Sequence, residues 1–89
     1  MKAVVTVVGK DQVGIIAGVC IKLAEYNVNV LDISQTVMQG YFTMMMAVEV
    51  SDTNMPLAEL ATRMEEAGKE MGLSIRIQRE DIFEAMHRI

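Results

Sequence analysis

The chain has 89 residues, which is one domain at most because domains usually take roughly 100–200 residues. Its 52% hydrophobic content excludes a disordered chain, and its single cysteine, Cys20, excludes a disulfide scaffold and a multi-cysteine metal site. The net charge of −4 argues against nucleic-acid binding, and no apolar stretch reaches the roughly 20 residues of a membrane span.

The first half of the chain predicts a strand, a helix and a second strand. Residues 2–8 are rich in β-branched side chains and predict a strand, and residues 9–14 form a loop flanked by glycines. Apolar residues at helical spacing over 15–26 predict a helix with a wide apolar surface. Residues 28–39 predict a strand whose apolar alternation slips near Leu31-Asp32, which indicates a β-bulge.

The second half predicts two more strands and two helices. Gln39-Gly40 is a tight-turn signal that leads into a strand over 41–50. Apolar spacing of i, i+3, i+4, i+7 predicts a helix over 57–71, and strict alternation predicts a strand over 73–79. Residues 81–89 predict a last short helix with one apolar side.

This β-α-β-β-α-β order with a helical tail is the ferredoxin-like, split βαβ arrangement of the α+β class. Right-handed crossovers place both helices on one face of a four-stranded antiparallel sheet. We therefore expect a domain over residues 1–79 and a tail over 80–89. The other sheet face would stay open, and an oligomer contact or the docked tail would cover it. Its expected occupants are Thr6, Thr43, Met45, Ala47, Ser74 and Arg76.

Three functions found on this scaffold need residues that the chain lacks. Copper chaperones need paired thiolates in the first loop, whereas Cys20 lies in mid-helix among apolar residues and is interpreted as core filling. RNA-recognition modules need aromatic residues on the open face, but Tyr41 and Phe42 point to opposite faces. The only histidine, His87, is interpreted as a solvated helix-end residue or one fixed at an interface. We expect no catalytic residues, no metal site and no cofactor.

The loop from Gly9 to Gly14 leads into a helix, whose first amides are unpaired donors that attract a carboxylate or phosphate. Asp11 could accept a hydrogen bond from an ammonium group, and Gly14 would let a ligand approach the backbone closely. Carboxylate and ammonium together describe an α-amino acid. The alternative is that Asp11 only caps the helix and Gly14 only fits a tight turn.

The segments at 8–17, VGKDQVGIIA, and at 27–35, NVNVLDISQ, resemble ACT domains, which are small regulatory modules that usually sense amino acids. The resemblance covers about residues 2–79. The tail EDIFEAMHRI at 80–89 resembles the ending of small stand-alone ACT proteins, which are similar to the ACT units of the glycine cleavage system transcriptional repressor.

This resemblance implies a set of ligand-binding residues: Asp11, Val13, Gly14, Ile15, Ile16 and Asn29. Asp11 and Asn29 match side-chain contacts of amino-acid-binding members, and the three residues from Gly14 would supply backbone donors. Asn29 could instead be a turn residue that bonds its own backbone. Val13 departs from the family pattern, which has proline before the loop glycine, and this change loosens the loop.

In the family such sites usually lie between two copies. We therefore expect a cytoplasmic, non-enzymatic regulatory module that is at least a homodimer and binds an amino acid or similar small metabolite. The alternative is a protein–protein interaction or dimerisation module that has lost ligand binding. A free cysteine favours the reducing cytoplasm.

Overall fold

The computed structural model describes residues 1–86, apart from the side chains of Phe83, Ala85 and Met86. The elements are β1 (Lys2–Lys10), α1 (Ile15–Glu25), β2 (Asn29–Met38), β3 (Tyr41–Glu49), α2 (Leu57–Met71), β4 (Leu73–Arg79) and α3 (Glu80–Met86). The predicted βαββαβ ferredoxin-like order is confirmed. The last helix begins one residue earlier than predicted, and positions 87–89 of that prediction lie outside the described residues.

The four strands form one antiparallel sheet in the order β2-β3-β1-β4. The helices α1 and α2 pack on one face of this sheet, because alternate residues of β1, β3 and β4 are buried beneath them. The core joins strand residues such as Val5, Met44 and Met46 to Leu23 of α1 and Met64 of α2, all of them fully buried. The flexible thioethers of these methionines fill irregular space between the layers.

The sheet side that faces away from the helices is called the open face below. Residues that pair directly across strands share a face, so the register identifies its members. They include Thr6, Met45 and Arg76 in one line across the sheet, Val8, Thr43 and Ser74 in the next, and Val4 with Ala47 in a third. The six residues predicted for this face all lie on it.

β2 is an edge strand, and a bulge bends it near its start. Its register against β3 shifts between Val30 and Asp32, which confirms the predicted bulge. Ile33 and Val37 lie on its helix-facing side, yet their exposures are 41% and 55%. The helices therefore leave the edge of β2 unshielded. The β2–β3 turn has positive φ at both Gln39 and Gly40, as a tight two-residue hairpin requires.

α2 approaches β4 so closely that no side chain fits between them at Gly68. An added Cβ would lie 2.8 Å from Cγ1 of Ile75 and 2.9 Å from the carbonyl oxygen of Leu73. The carbonyl oxygen belongs to the sheet backbone and cannot rotate away. Gly68 therefore sets the distance between helix and sheet.

We predict that Gly68→Ala lowers the free energy of unfolding by about 1–3 kcal/mol, because the methyl group overpacks this contact. The matched control is Gly18→Ala in α1, where the Cβ meets only the flexible Sδ of Met71 at 3.0 Å. Alanine is the better helix former by about 0.5–1 kcal/mol, so the control should stay close to wild type. Urea unfolding measures both, and equal midpoints for the two variants would contradict the prediction.

Candidate functional site

The β1–α1 loop presents the bare N-terminus of α1. Gly14 is the N-cap residue, no side chain makes a cap hydrogen bond, and the first turn holds no acidic residue. The N–H groups of Ile15 and Ile16 thus lack helical partners and carry the positive end of the helix dipole. This end of α1 suits an anion.

The left-handed backbone of Gly14, with φ of 89°, explains why glycine stands there. A Cβ at this position would meet nothing within 4 Å, so the conformation and not crowding selects glycine. Gly14 therefore fits a tight turn, and it also leaves the backbone open to approach. Both interpretations made from the sequence are compatible with this geometry.

A cavity of about 210 Å³ lies between this loop and the end of α2. Its lining residues are Gln12, Val13, Gly14, Ile15, Glu70, Met71 and Leu73. Nε2 of Gln12 donates a hydrogen bond of 2.9 Å to the carbonyl oxygen of Met71, so the loop is tied to the last turn of α2. The volume is below the roughly 300–1,000 Å³ of drug-sized pockets, and it suits a small metabolite.

Two helix ends of opposite dipole sign border this cavity. The N-terminus of α1 supplies the positive side, while the C-terminal turn of α2 and the carboxylate of Glu70 supply the negative side. A zwitterion matches this arrangement. The sequence analysis missed Glu70 and Gln12. Helical spacing alone assigns Glu70 to the polar face of α2, and only the chain turn at Gly72 brings that end of α2 to the loop.

The sequence-predicted residues do not all meet at the cavity. Val13, Gly14 and Ile15 line it, and Ile16 is half-buried against the core. Asp11 does not line the cavity; its N–H donates a hydrogen bond of 2.8 Å to the carbonyl oxygen of Gly40 in the β2–β3 turn. The loop is therefore held between α2 on one side and the hairpin on the other.

Asn29 lies at the opposite end of the sheet from Asp11. It is the first residue of β2 and pairs with Glu49, which pairs with Lys2 at the start of β1. The loop follows Lys10, at the other end of β1. At about 3.3 Å per residue, the nine steps of β2 separate the two ends by roughly 30 Å. One chain does not bring Asp11 and Asn29 together.

The carboxylate of Glu49, beside Asn29, is firmly held. It accepts a hydrogen bond of 2.6 Å from the N-terminal ammonium of Met1 and one of 2.8 Å from the hydroxyl of Ser51. Chiefly the ammonium, and then the hydroxyl, lower the pKa of Glu49 from 4.5 to about 2. This cluster fixes the chain terminus to β3.

Within residues 1–86, no three His, Cys, Asp or Glu side chains group in a way that could hold a metal ion. Cys20 is free and half-buried, and it packs against the core as predicted. No helix in the described part of the chain is long and apolar enough to cross a membrane. His87 lies outside the described residues.

The comparisons with known proteins agree on one family. The family model of the ACT domain matches residues 2–78 of this chain. A UPF0237 protein of Listeria innocua is 53% identical over 89 residues, which is 100% of both chains. A solved ACT domain protein from Streptococcus pneumoniae is 49% identical with a TM-score of 0.84, and the match covers 98% of each chain.

A solved structure described as a glycine cleavage system transcriptional repressor is more distant. It has a TM-score of 0.75 and 23% identity, and the match covers 86% of this chain and 44% of the other. At this identity the likeness establishes a shared fold alone.

The Glu49 cluster gives a pH-dependent prediction. Because the pKa of Glu49 is lower in the folded chain, its contribution to stability is present above about pH 4.5 and is lost as the pH falls to about 2. Glu49→Gln should therefore lower the Tm at pH 6 and match wild type near pH 2. Glu65→Gln, an exposed change on α2, is the control and should have no effect at either pH. A constant difference between Glu49→Gln and wild type at all pH values would contradict this assignment.

Proposed function

The chain belongs to the ACT-domain family, and from that premise we propose that it is a non-enzymatic regulatory module that binds a small amino acid as an oligomer. ACT domains are commonly regulatory ligand-binding modules. The observation that carries the proposal is the uncapped N-terminus of α1, open to a ligand and faced by a carboxylate across a small cavity.

The ligand's two charged groups have different partners. Its carboxylate binds the free N–H groups of Ile15 and Ile16, where the helix dipole favours a negative charge. Its ammonium has two candidate acceptors, the carboxylates of Glu70 and Asp11. Glu70 serves a ligand held inside the cavity of one chain, whereas Asp11 serves a ligand on the hairpin side of the loop.

A second copy supplies what one chain lacks on the hairpin side. β2 is an unshielded edge strand with unpaired backbone groups, and such edges pair readily with another strand. If β2 pairs antiparallel with its counterpart, the start of one β2 lies beside the end of the other. Asn29 of the partner subunit then lies near the β2–β3 turn and Asp11, and a ligand there bridges two copies.

Regulation follows from this bridge by population shift. A ligand that contacts both copies favours the dimer arrangement in which its contacts are complete, and it shifts the equilibrium by its difference in affinity. The free thiol of Cys20 supports a reducing cytoplasm as the place of action. The alternative, an interaction module without a ligand, is favoured by Val13, which stands fully exposed where the family has proline.

We predict that one or a few small amino acids raise the Tm. A ligand at 100 times its Kd adds about 2.7 kcal/mol of stability, which is roughly 10 °C or more for a chain of this size. A thermal-shift panel of the standard amino acids, followed by calorimetry, measures this effect. If no amino acid in the panel raises the Tm of protein that is shown to be dimeric, the proposal of ligand binding is wrong. The alternative, an interaction module without a ligand, would then stand.

Two variants distinguish which of the two carboxylates, Asp11 or Glu70, binds the ammonium group of the ligand. Asp11→Asn should weaken binding about tenfold or more if the ligand bridges two copies, and Glu70→Gln should do so if it lies in the cavity of one chain, since each loses a charge-assisted hydrogen bond. Glu66→Gln, on the exposed face of α2, is the control. If both test variants bind the amino acid with unchanged affinity, neither carboxylate accepts the hydrogen bond from its ammonium group.

The assembly is tested separately at the edge strand. Val37→Lys places a charge on the exposed apolar side of β2 and should disfavour edge pairing, which lowers the mass measured by sedimentation. Ile21→Lys on α1 is the control, since Ile21 is equally apolar and 60% exposed. An unchanged mass for Val37→Lys would exclude β2 from the interface.

A further inference from the structure

Two apolar side chains that line the cavity beside the β1–α1 loop each rest against a glycine. An added Cβ at Gly9 would lie 2.5 Å from Cδ2 of Leu73, and one at Gly18 would lie 3.0 Å from Sδ of Met71. Leu73 and Met71 line the cavity, whereas Gly9 and Gly18 stand behind them. These two glycines therefore determine how far the two side chains stand back from the cavity.

Leu73 is the fixed side chain of the two. It is 5% exposed, it begins β4, and it pairs with Gly9 in the sheet register. A Cβ at Gly9 would also lie 3.3 Å from the carbonyl oxygen of Gly72, so backbone and side chain together close this position. Strand pairing holds the backbone of Leu73 and core packing holds its side chain, so Leu73 forms a rigid floor of the cavity.

Met71 is held by its backbone and not by the end of its side chain. Its carbonyl oxygen accepts the hydrogen bond from Gln12, and α2 ends at Gly72 in the left-handed conformation. The side chain is half-buried and packs partly against the core. A thioether side chain adapts its shape at little cost, so Met71 can change its position without a change in the fold.

The side chain of Met71 borders Gly18, the core and the cavity. The core resists compression because protein interiors are close-packed. A methyl group added at Gly18 would therefore displace Sδ of Met71 toward the open space, which is the cavity. The absence of a side chain at Gly18 keeps the cavity as wide as it is.

The lining also determines which ligand side chain fits. In the proposed function the ligand's carboxylate binds the N–H groups at the start of α1, and its ammonium binds Glu70. The remaining lining includes the apolar Val13, Met71 and Leu73, while Nε2 of Gln12 already donates its hydrogen bond to the backbone of α2. A polar side chain directed inward would lose hydrogen bonds to water, so the arrangement favours an aliphatic one.

We propose that Met71 determines which amino acids the cavity accepts, and that Gly18 is the positioning residue that holds Met71 back. This inference rests on the proposed function, with the ligand in the cavity of one chain. The accepted class is amino acids with small aliphatic side chains, such as alanine and valine. A volume of about 210 Å³ equals roughly seven water molecules at about 30 Å³ each, which leaves little room for a longer side chain.

Calorimetry of the full chain with alanine, valine and leucine tests the proposal. Wild type should bind alanine or valine about tenfold or more tighter than leucine, since one methylene group changes binding in an apolar pocket by about 10–200-fold. Met71→Ala removes the thioether and should raise the affinity for leucine relative to alanine about tenfold or more. Gly18→Ala should lower the affinity for valine relative to alanine, because Sδ moves into the space that the branched side chain needs.

A double variant and a matched control separate this role from a structural one. In Gly18→Ala/Met71→Ala the added methyl group has no Sδ to displace, so the double variant should match Met71→Ala. Met55→Ala is the control, because Met55 is also half-buried against the core but lies away from the cavity. Loss of structure would weaken all three ligands alike and leave the affinity ratios unchanged, and circular dichroism reports the fold.

The outcomes distinguish this inference from the proposed function. If amino acids bind but neither Met71→Ala nor Gly18→Ala changes the ratios, Met71 does not choose the ligand, and the proposed function stands with the ligand beside Asp11. If wild type binds leucine as tightly as alanine, the size limit is wrong. If no amino acid binds, the proposed function fails and this inference fails with it. Gly18→Ala should be as stable as wild type, so the test does not depend on Met71→Ala alone.

Discussion

The structure depends on one constraint: two helices cover one face of a four-stranded sheet and nothing in the described chain covers most of the other. A chain of 89 residues has too few elements for a third layer. The buried face takes the aliphatic residues and the thioethers of Met44, Met46 and Met64, and α2 packs directly on β4 at Gly68. The open face, the edge of β2 and the helix ends are what remains for function.

Much of the fold could be predicted from the sequence because its signals are local. Three local patterns each specify an element without reference to the rest of the chain. They are the alternation of apolar and polar residues over β4, the helical spacing of apolar residues over α2, and the Gln39-Gly40 turn. The slip of alternation at Leu31 even located the bulge. The start of α3 was displaced by one residue because the chain passes from β4 into the helix without a loop.

The candidate site was harder to predict because it joins distant parts of the chain. Gly14 was proposed from a local pattern, and Val13 and Ile15 from the family resemblance, but Glu70 and the Gln12–Met71 hydrogen bond depend on how α2 turns into β4. Asp11 and Asn29 carry matching roles in the family resemblance, yet the register places them at opposite ends of the sheet. A pattern along one chain does not show whether residues with matching roles meet within that chain.

The hydrogen bond from the N–H of Asp11 to the carbonyl oxygen of Gly40 has a mechanical consequence. It fastens the loop before α1 to the hairpin whose flanking residues, Met38 and Tyr41, are exposed on the open face. The opposite side of the same loop is fastened to α2 through Gln12. The loop is thus tied by hydrogen bonds to the hairpin on one side and to the last turn of α2 on the other, so its position depends on both of these parts of the fold.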